Sequence, residues 1–285
     1  MPVRARSLFR PVWWLSNVLL AVALVATVWS GVWEFSVRQY LKGFSDAIVP
    51  ESASPQQKVE DILAWMNKGL QRLSTDHPEN LSPRDPLDTL NYQQLLEVCG
   101  SATNAFLNLS RSAGLETRRL LLLTPERTAK HVVAEVHLDG RWVIVDPAYR
   151  VLMKDARGNL LTRKDLQNLE TLRKATSSLP HYSPEYTYER FAHVRLAALP
   201  FHGTGVRKLL DRFFPSWEEY LDWNLLLERR SFLYLFISAI SLIFLVLVRA
   251  VLAWVADHYL QVPRFHLLAN LGRATISFFR APEMK

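Results

Sequence analysis

The chain has 285 residues and one cysteine, Cys99, in the stretch LLEVCGSATNAF. A single thiol excludes an internal disulfide framework and any cysteine-rich zinc site. Internal repeats, low-complexity tracts and calcium-loop clusters of acids are also missing. The N-terminal tail lacks acids altogether and carries Arg4, Arg6 and Arg10.

A net charge of +7 with a pI near 9.6 would suit a nucleic-acid partner, but its distribution argues against one. Eight basic residues toward the chain ends (Arg4, Arg6, Arg10, Arg249, Arg264, Arg273, Arg280, Lys285) stand against Asp257 and Glu283. About one net positive charge is left for everything between.

Two apolar runs account for this pattern. The first, Val12 to Trp33, spans roughly 30 Å as a helix, the thickness of a bilayer core, with Trp13, Trp14, Trp29 and Trp33 at its ends. It is too long for a signal-peptide core, and no A-x-A cleavage site follows it. The second, Phe232 to Val255, passes from Phe232 to Val248 without a charge, which disfavours a buried helix of a soluble core. Arg249 stands where it can snorkel to the interface.

The positive-inside rule then puts both termini in the cytoplasm and the middle of the chain outside an inner (plasma) membrane, on the periplasmic side. The expected division is 1–11 cytoplasmic tail, 12–33 membrane helix, 34–230 extracytoplasmic domain with its core at about 56–150, 231–255 membrane helix and 256–285 cytoplasmic tail. The basic, aromatic tail RFHLLANLGRATISFFR suits either the inner membrane face or a partner protein.

Between the spans, Glu34 to Ile48 reads as a short amphipathic or extended neck. Val59, Ile62, Leu63, Met66, Leu70 and Leu73 repeat at helical spacing after Ser54-Pro55, a plausible helix start. DHPENLSPRDPLDTL reads as a loop. Cys99 opens a helix with Ala102, Phe106, Leu109 and Ala113 on one face and Gly114 as its cap. Arg118 to Thr124 is a buried-strand candidate. HVVAEVHL and RWVIVDP are strands joined by Asp139-Gly140, a two-residue hairpin turn. Helix then strands gives an α+β class. Residues 151–230 are polar and irregular, and wrap or extend the domain.

A thiol attacks as thiolate, and the N–H groups and dipole of a helix N-terminus lower its pKa. A cysteine nucleophile also needs a histidine, and a third group to orient that histidine. The hairpin supplies both. A two-residue turn at Asp139-Gly140 sets Leu138 against Arg141 and therefore Val133 against Asp146. His131 shares the face of Val133, so it lies diagonal to Asp146, within reach of a His–carboxylate hydrogen bond. His131, Glu135 and His137 also share a face, but their spacing matches no zinc signature, so no metal and no cofactor is expected. Trp142 reads as core packing, Gln93 and Gln94 as helix-surface amides, and His181 and His193 as surface residues.

Read together, VCGSATNAFLNLSRSAGLETRRLLLL, HVVAEV and GRWVIVDPAY resemble the core of the transglutaminase-like superfamily of papain-related thiol enzymes. The matching positions are Cys99, Ala113-Gly114, Arg118, His131, Glu135-Val136, Gly140, Trp142 and Asp146-Pro147. Glu97 and Val133 replace the glycine and aromatic that many members carry. The resemblance implies a nucleophile helix packed on an antiparallel sheet, flanked here by the two membrane helices. It also implies a triad of Cys99 as nucleophile, His131 as base and Asp146 as orienting carboxylate. The expected function is a bacterial-type, membrane-anchored thiol enzyme acting on peptide or protein amide bonds in the cell envelope, with hydrolysis favoured over cross-linking. The rival is a catalytically silent scaffold or accessory subunit of an envelope membrane complex. The lipid bilayer is an expected partner of either, and nucleic acid of neither.

Overall fold

The computed structural model describes residues 2–68, 82, 85–193, 204–214 and 229–260. Leu70, Leu73, residues 194–203 and 215–228, and the basic tail from residue 261 lie outside the described residues. The chain divides into two compact units, residues 1–28 with 237–285, and residues 29–236.

Two long helices run through this division: α1 (Pro2–Ile48), and a C-terminal helix (Arg230–Val255) that continues into a π-turn at Ala256–Leu260. Both are long and apolar enough to cross a membrane. Within the first unit Trp14, Val25, Phe244 and Leu247 are exposed, as lipid-facing side chains are and buried core side chains are not. Arg249 donates from Nε to Asn17 Oδ1 at 3.0 Å, a polar tie between the two helices. The neck is not a separate piece, because α1 continues unbroken to Ile48. Its Val37 and Leu41, one turn apart, are buried in the core of the second unit. Where the two helices meet inside that unit, the buried Glu34 carboxylate takes Arg38 Nε at 2.7 Å, Arg229 Nε at 3.1 Å and Ser231 Oγ at 2.8 Å.

The second unit is α+β. After α1 come α2 (Pro55–Lys68), α3 (Pro86–Asn91), α4 (Gln93–Leu96) and α5 (Cys99–Ser112). They are followed by β1 (Thr117–Leu123), β2 (Ala129–Leu138), β3 (Arg141–Asp146) and β4 (Val151–Leu152). Short helices α6 (Arg163–Leu166) and α7 (Leu169–Thr176), strand β5 (Phe191–Ala192) and α8 (Thr204–Phe213) complete it. With the C-terminal helix as α9, the sheet order is β4-β3-β2-β1-β5, antiparallel throughout.

Local chemistry explains most of these boundaries. Asp139 and Gly140 both take positive φ, 48° and 79°, the type I′ turn that matches strand twist. Gly114, at φ 81°, ends α5 in a Schellman motif: Leu115 N–H bonds Ser110 C=O at 2.9 Å and Gly114 N–H bonds Arg111 C=O at 3.1 Å. One expected loop is in part a helix. Asp85 caps α3 through Leu87 N–H at 2.9 Å, with Pro86 at the first helical position, so Asp-Pro here starts a helix.

Helix α5 lies at the centre. Every residue from Ser101 to Ser110 is buried, so the amphipathic face read from the sequence is only part of its contact surface. On one side of the sheet, Ala134, Val136, Val143 and Val145 join Ala102, Phe106 and Leu109 of α5 and Val59, Ile62, Leu63 and Met66 of α2. On the other side, Leu120, Leu122, Val133 and Ile144 pack against Met153, Leu161, Leu166, Leu172 and Tyr188. Part of the irregular stretch after residue 150 is thus the second cover of the sheet, as the wrapping role required. Arg230, at its end, is already the first residue of α9.

Candidate active site

Cys99 occupies the first position of α5, half-buried. Val98 stands at the N-cap and its side chain makes no capping hydrogen bond to the first turn. The helix is docked onto β2 beside the histidine, where Thr103 Oγ1 donates to Val132 C=O at 3.0 Å. The Cys99 thiol lies lower than an ordinary cysteine, chiefly through its hydrogen bond with His131, against the opposing effect of burial. The backbone N–H groups of Val132 and Gly100 add to the lowering.

The pairing of β2 with β3 sets Leu138 opposite Arg141 and continues to Ala134 opposite Val145. One step further puts Val133 against Asp146, and His131 two residues along on the same face. The β1–β2 register shifts beside Leu122/Leu123, leaving Lys130 as the extra residue, just before His131 and outside the hairpin segment that sets His131 relative to Asp146. His131 Nε2 and Asp146 Oδ2 are 2.7 Å apart, and both residues are buried. That bond occupies Nε2 and leaves Nδ1 for the thiol. Burial alone would lower the imidazole, but the hydrogen bonds to Asp146 and then Cys99 outweigh it and raise His131 to about 9. The other carboxylate oxygen, Oδ1, accepts from the N–H groups of Ala148 at 3.1 Å and Tyr149 at 3.3 Å. Both ends of Asp146 are therefore held.

The structure brings Cys99, His131 and Asp146 into one hydrogen-bonded chain. It also adds residues that sequence reasoning missed. The Arg150 guanidinium donates to Leu96 C=O at 2.7 Å, Met66 C=O at 3.2 Å and Ala148 C=O at 2.8 Å. It ties the approach to Cys99 to the turn after Asp146. Three tyrosines surround the imidazole. Tyr186 stacks on it with centroids 4.2 Å apart and planes 7° apart, while Tyr149 and Tyr182 stand edge-on at 5.9 and 6.3 Å. The tyrosine spacing in YSPEYTY was the available signal, with no pattern to say what it covered. Burial raises the phenols of Tyr149, Tyr182 and Tyr186 above their ordinary range, so they stay neutral.

Other candidates fall elsewhere. Glu135 bonds Arg118 Nε at 2.6 Å, and that guanidinium lies over the Trp142 ring at 4.1 Å, a support for the sheet beside the site. His137 stands 3.3 Å from Glu116. Among the described residues no group of His, Cys, Asp and Glu is arranged to hold a metal ion. His193 is not a surface residue: it is 2% exposed and its Nδ1 lies 2.6 Å from Arg119 C=O, because β5 brings it against β1. Gln93 and Gln94 are exposed on α4, and Glu97 and Val98 are exposed just before the thiol. The residues leading directly into Cys99 are therefore exposed.

The comparisons with curated proteins and with solved structures return no match. The family comparison does: residues 42–147 match the Transglutaminase-like superfamily, a segment that begins near the end of α1 and closes at Pro147, right after Asp146. The site and the α+β core that carries it thus lie in a transglutaminase-like domain, of a superfamily that includes thiol enzymes.

Proposed function

We propose that the protein is a membrane-anchored thiol enzyme that hydrolyses amide bonds of peptides or proteins in the cell envelope. The observation that carries the reading is the chain from Cys99 through His131 to Asp146, anchored by the 2.7 Å bond at Nε2. The Cys99 thiolate attacks the amide carbonyl carbon, and the backbone N–H of Cys99 at the start of α5 faces the developing oxyanion. The His131 imidazolium passes its Nδ1 proton to the departing amine as the C–N bond breaks, leaving an acyl-thioester on Cys99. Water, deprotonated by His131, attacks the thioester, the acid leaves and the thiolate–imidazolium pair is restored. Asp146 fixes the ring and stabilises its charge throughout. The exposed stretch with Gln93, Gln94, Glu97 and Val98 is the entry for substrate.

The two apolar helices support anchoring, and the basic residues at both ends support a topology with the domain on the periplasmic side. Alkylation tests the chemistry. Cys99 should react with iodoacetamide at pH 6, and His131→Ala should abolish that reaction. Ordinary thiol reactivity unaffected by His131→Ala would leave the catalytically silent scaffold as the reading.

A further inference from the structure

The two in-plane hydrogen bonds of His131, to Asp146 and Cys99, fix its edge but not its faces. A parallel ring covers one of them: Tyr186, 4.2 Å away and tilted by 7°. Tyr186 lies beyond residues 42–147, the span that matches the family.

The segment carrying it is held at several points. Tyr149 Oη donates to His181 C=O at 3.0 Å, and Gln167 Nε2 donates to Tyr188 C=O at 3.4 Å. Leu123 N–H bonds Arg190 C=O at 2.9 Å, and the Tyr188 ring is fully buried under the sheet. Next to the stacked ring, Glu185 forms an ion pair with Lys130, the residue that precedes His131. The strap from His181 to Arg190 is therefore a fixed wall against the imidazole.

We propose that Tyr186 is a positioning residue that holds His131 by its ring face and favours the protonated form of the imidazole. The inference rests on the reading of Cys99 and His131 as a thiolate–imidazolium pair. The face of a phenol ring carries negative quadrupole charge, which attracts an imidazolium more than a neutral imidazole. The charged and titratable groups around His131 are Cys99 from α5, Asp146 and Tyr149 from the end of β3, Tyr182 and Tyr186 from the strap, and Lys130 from β2 itself. Arg150, from the turn after β3, faces Asp146, and Lys130 is paired with Glu185 of the strap. The strap thus supports the imidazolium through the ring of Tyr186.

The test uses the full-length chain in lipid nanodiscs and reads the pH midpoint of Cys99 alkylation. Tyr186→Phe keeps the ring and should keep the midpoint. Tyr186→Leu removes the ring, and pentafluorophenylalanine at position 186 keeps its shape while reversing its quadrupole. Both should raise the midpoint by about 0.5 to 1.5 pH units, since a weaker imidazolium makes the thiolate harder to form. A midpoint unmoved by the fluorinated ring would overturn the inference, whatever Tyr186→Leu does to folding. An ordinary midpoint near pH 8.5 in the unsubstituted chain would instead sink the thiolate–imidazolium pair itself.

Discussion

Asp146→Asn isolates charge from shape at the base of the site. The oxygen of the new amide stays where Ala148 and Tyr149 donate, at 3.1 and 3.3 Å, so its NH2 group faces Nε2 of His131. A donor at that point requires a bare Nε2, which moves the ring proton to Nδ1, where the thiol needs an acceptor. The loss is sizeable. Raising His131 from 6.5 to about 9 corresponds to a preference of roughly 3 kcal/mol for the imidazolium, and Asp146 is the largest raising influence. Without it, burial acts unopposed except by Cys99, and the imidazole should titrate at or below 6.5. The thiol, held down mainly by His131, should return to about 8.5 or above. The assay is alkylation of Cys99 across pH 4 to 10, read by mass spectrometry, with no second thiol to confuse it. The midpoint is the quantity to read. A rate at one pH misleads, because a thiolate of lower pKa is also a weaker nucleophile. A profile for Asp146→Asn that superimposes on that of the unsubstituted chain would refute the reasoning.

Further outcomes follow from the same geometry. Arg150→Met strips hydrogen-bond partners from the carbonyls of Leu96, Met66 and Ala148, and should cost about 2–4 kcal/mol in denaturant unfolding, with Arg150→Lys recovering only part of it. Gly114→Ala meets no neighbour within 4 Å, so its cost should be only the strain of φ 81°, about 1–2 kcal/mol by thermal unfolding. In Cys99→Ser the opposite titration of the thiolate is removed. His131, still raised by Asp146 though less than with Cys99 present, then contributes stability that is full below pH 6.5 and lost as pH rises through its folded pKa, so unfolding midpoints should fall as pH rises above 6.5. A reporter fused after residue 285 should read as cytoplasmic and one inserted near residue 160 as external; the reverse would overturn the topology.

The parts legible in the sequence were those whose signals are local. The α2 spacing buried Val59, Ile62, Leu63 and Met66, and the Asp-Gly turn fixed the β2–β3 register, because type I′ geometry leaves one pairing. Gly114 ended α5 because only positive φ closes the Schellman motif without strain. The rest depended on contacts distant in sequence. Arg150 acts through the carbonyls of Met66, Leu96, Pro147 and Ala148, which leave no trace in side-chain patterning. His193 became buried because β5 pairs with β1, and a two-residue strand is too short to show periodicity. The same holds for the tyrosine strap, whose polar appearance hides one fully buried ring, Tyr188. The Cys99 helix was underestimated for a related reason. Its polar Thr103 and Asn108 are buried with hydrogen bonds, to Val132 C=O and Asn104.

The central claim is that Cys99 is a thiolate at neutral pH because His131 holds its proton. The absorbance of the thiolate near 240 nm, taken as the difference between the full chain and Cys99→Ser, measures that state without any electrophile. The account predicts a titration midpoint well below 8.5, moving back to 8.5 or above in His131→Ala. A midpoint of 8.5 or higher in the unsubstituted chain, unmoved by His131→Ala, would contradict it.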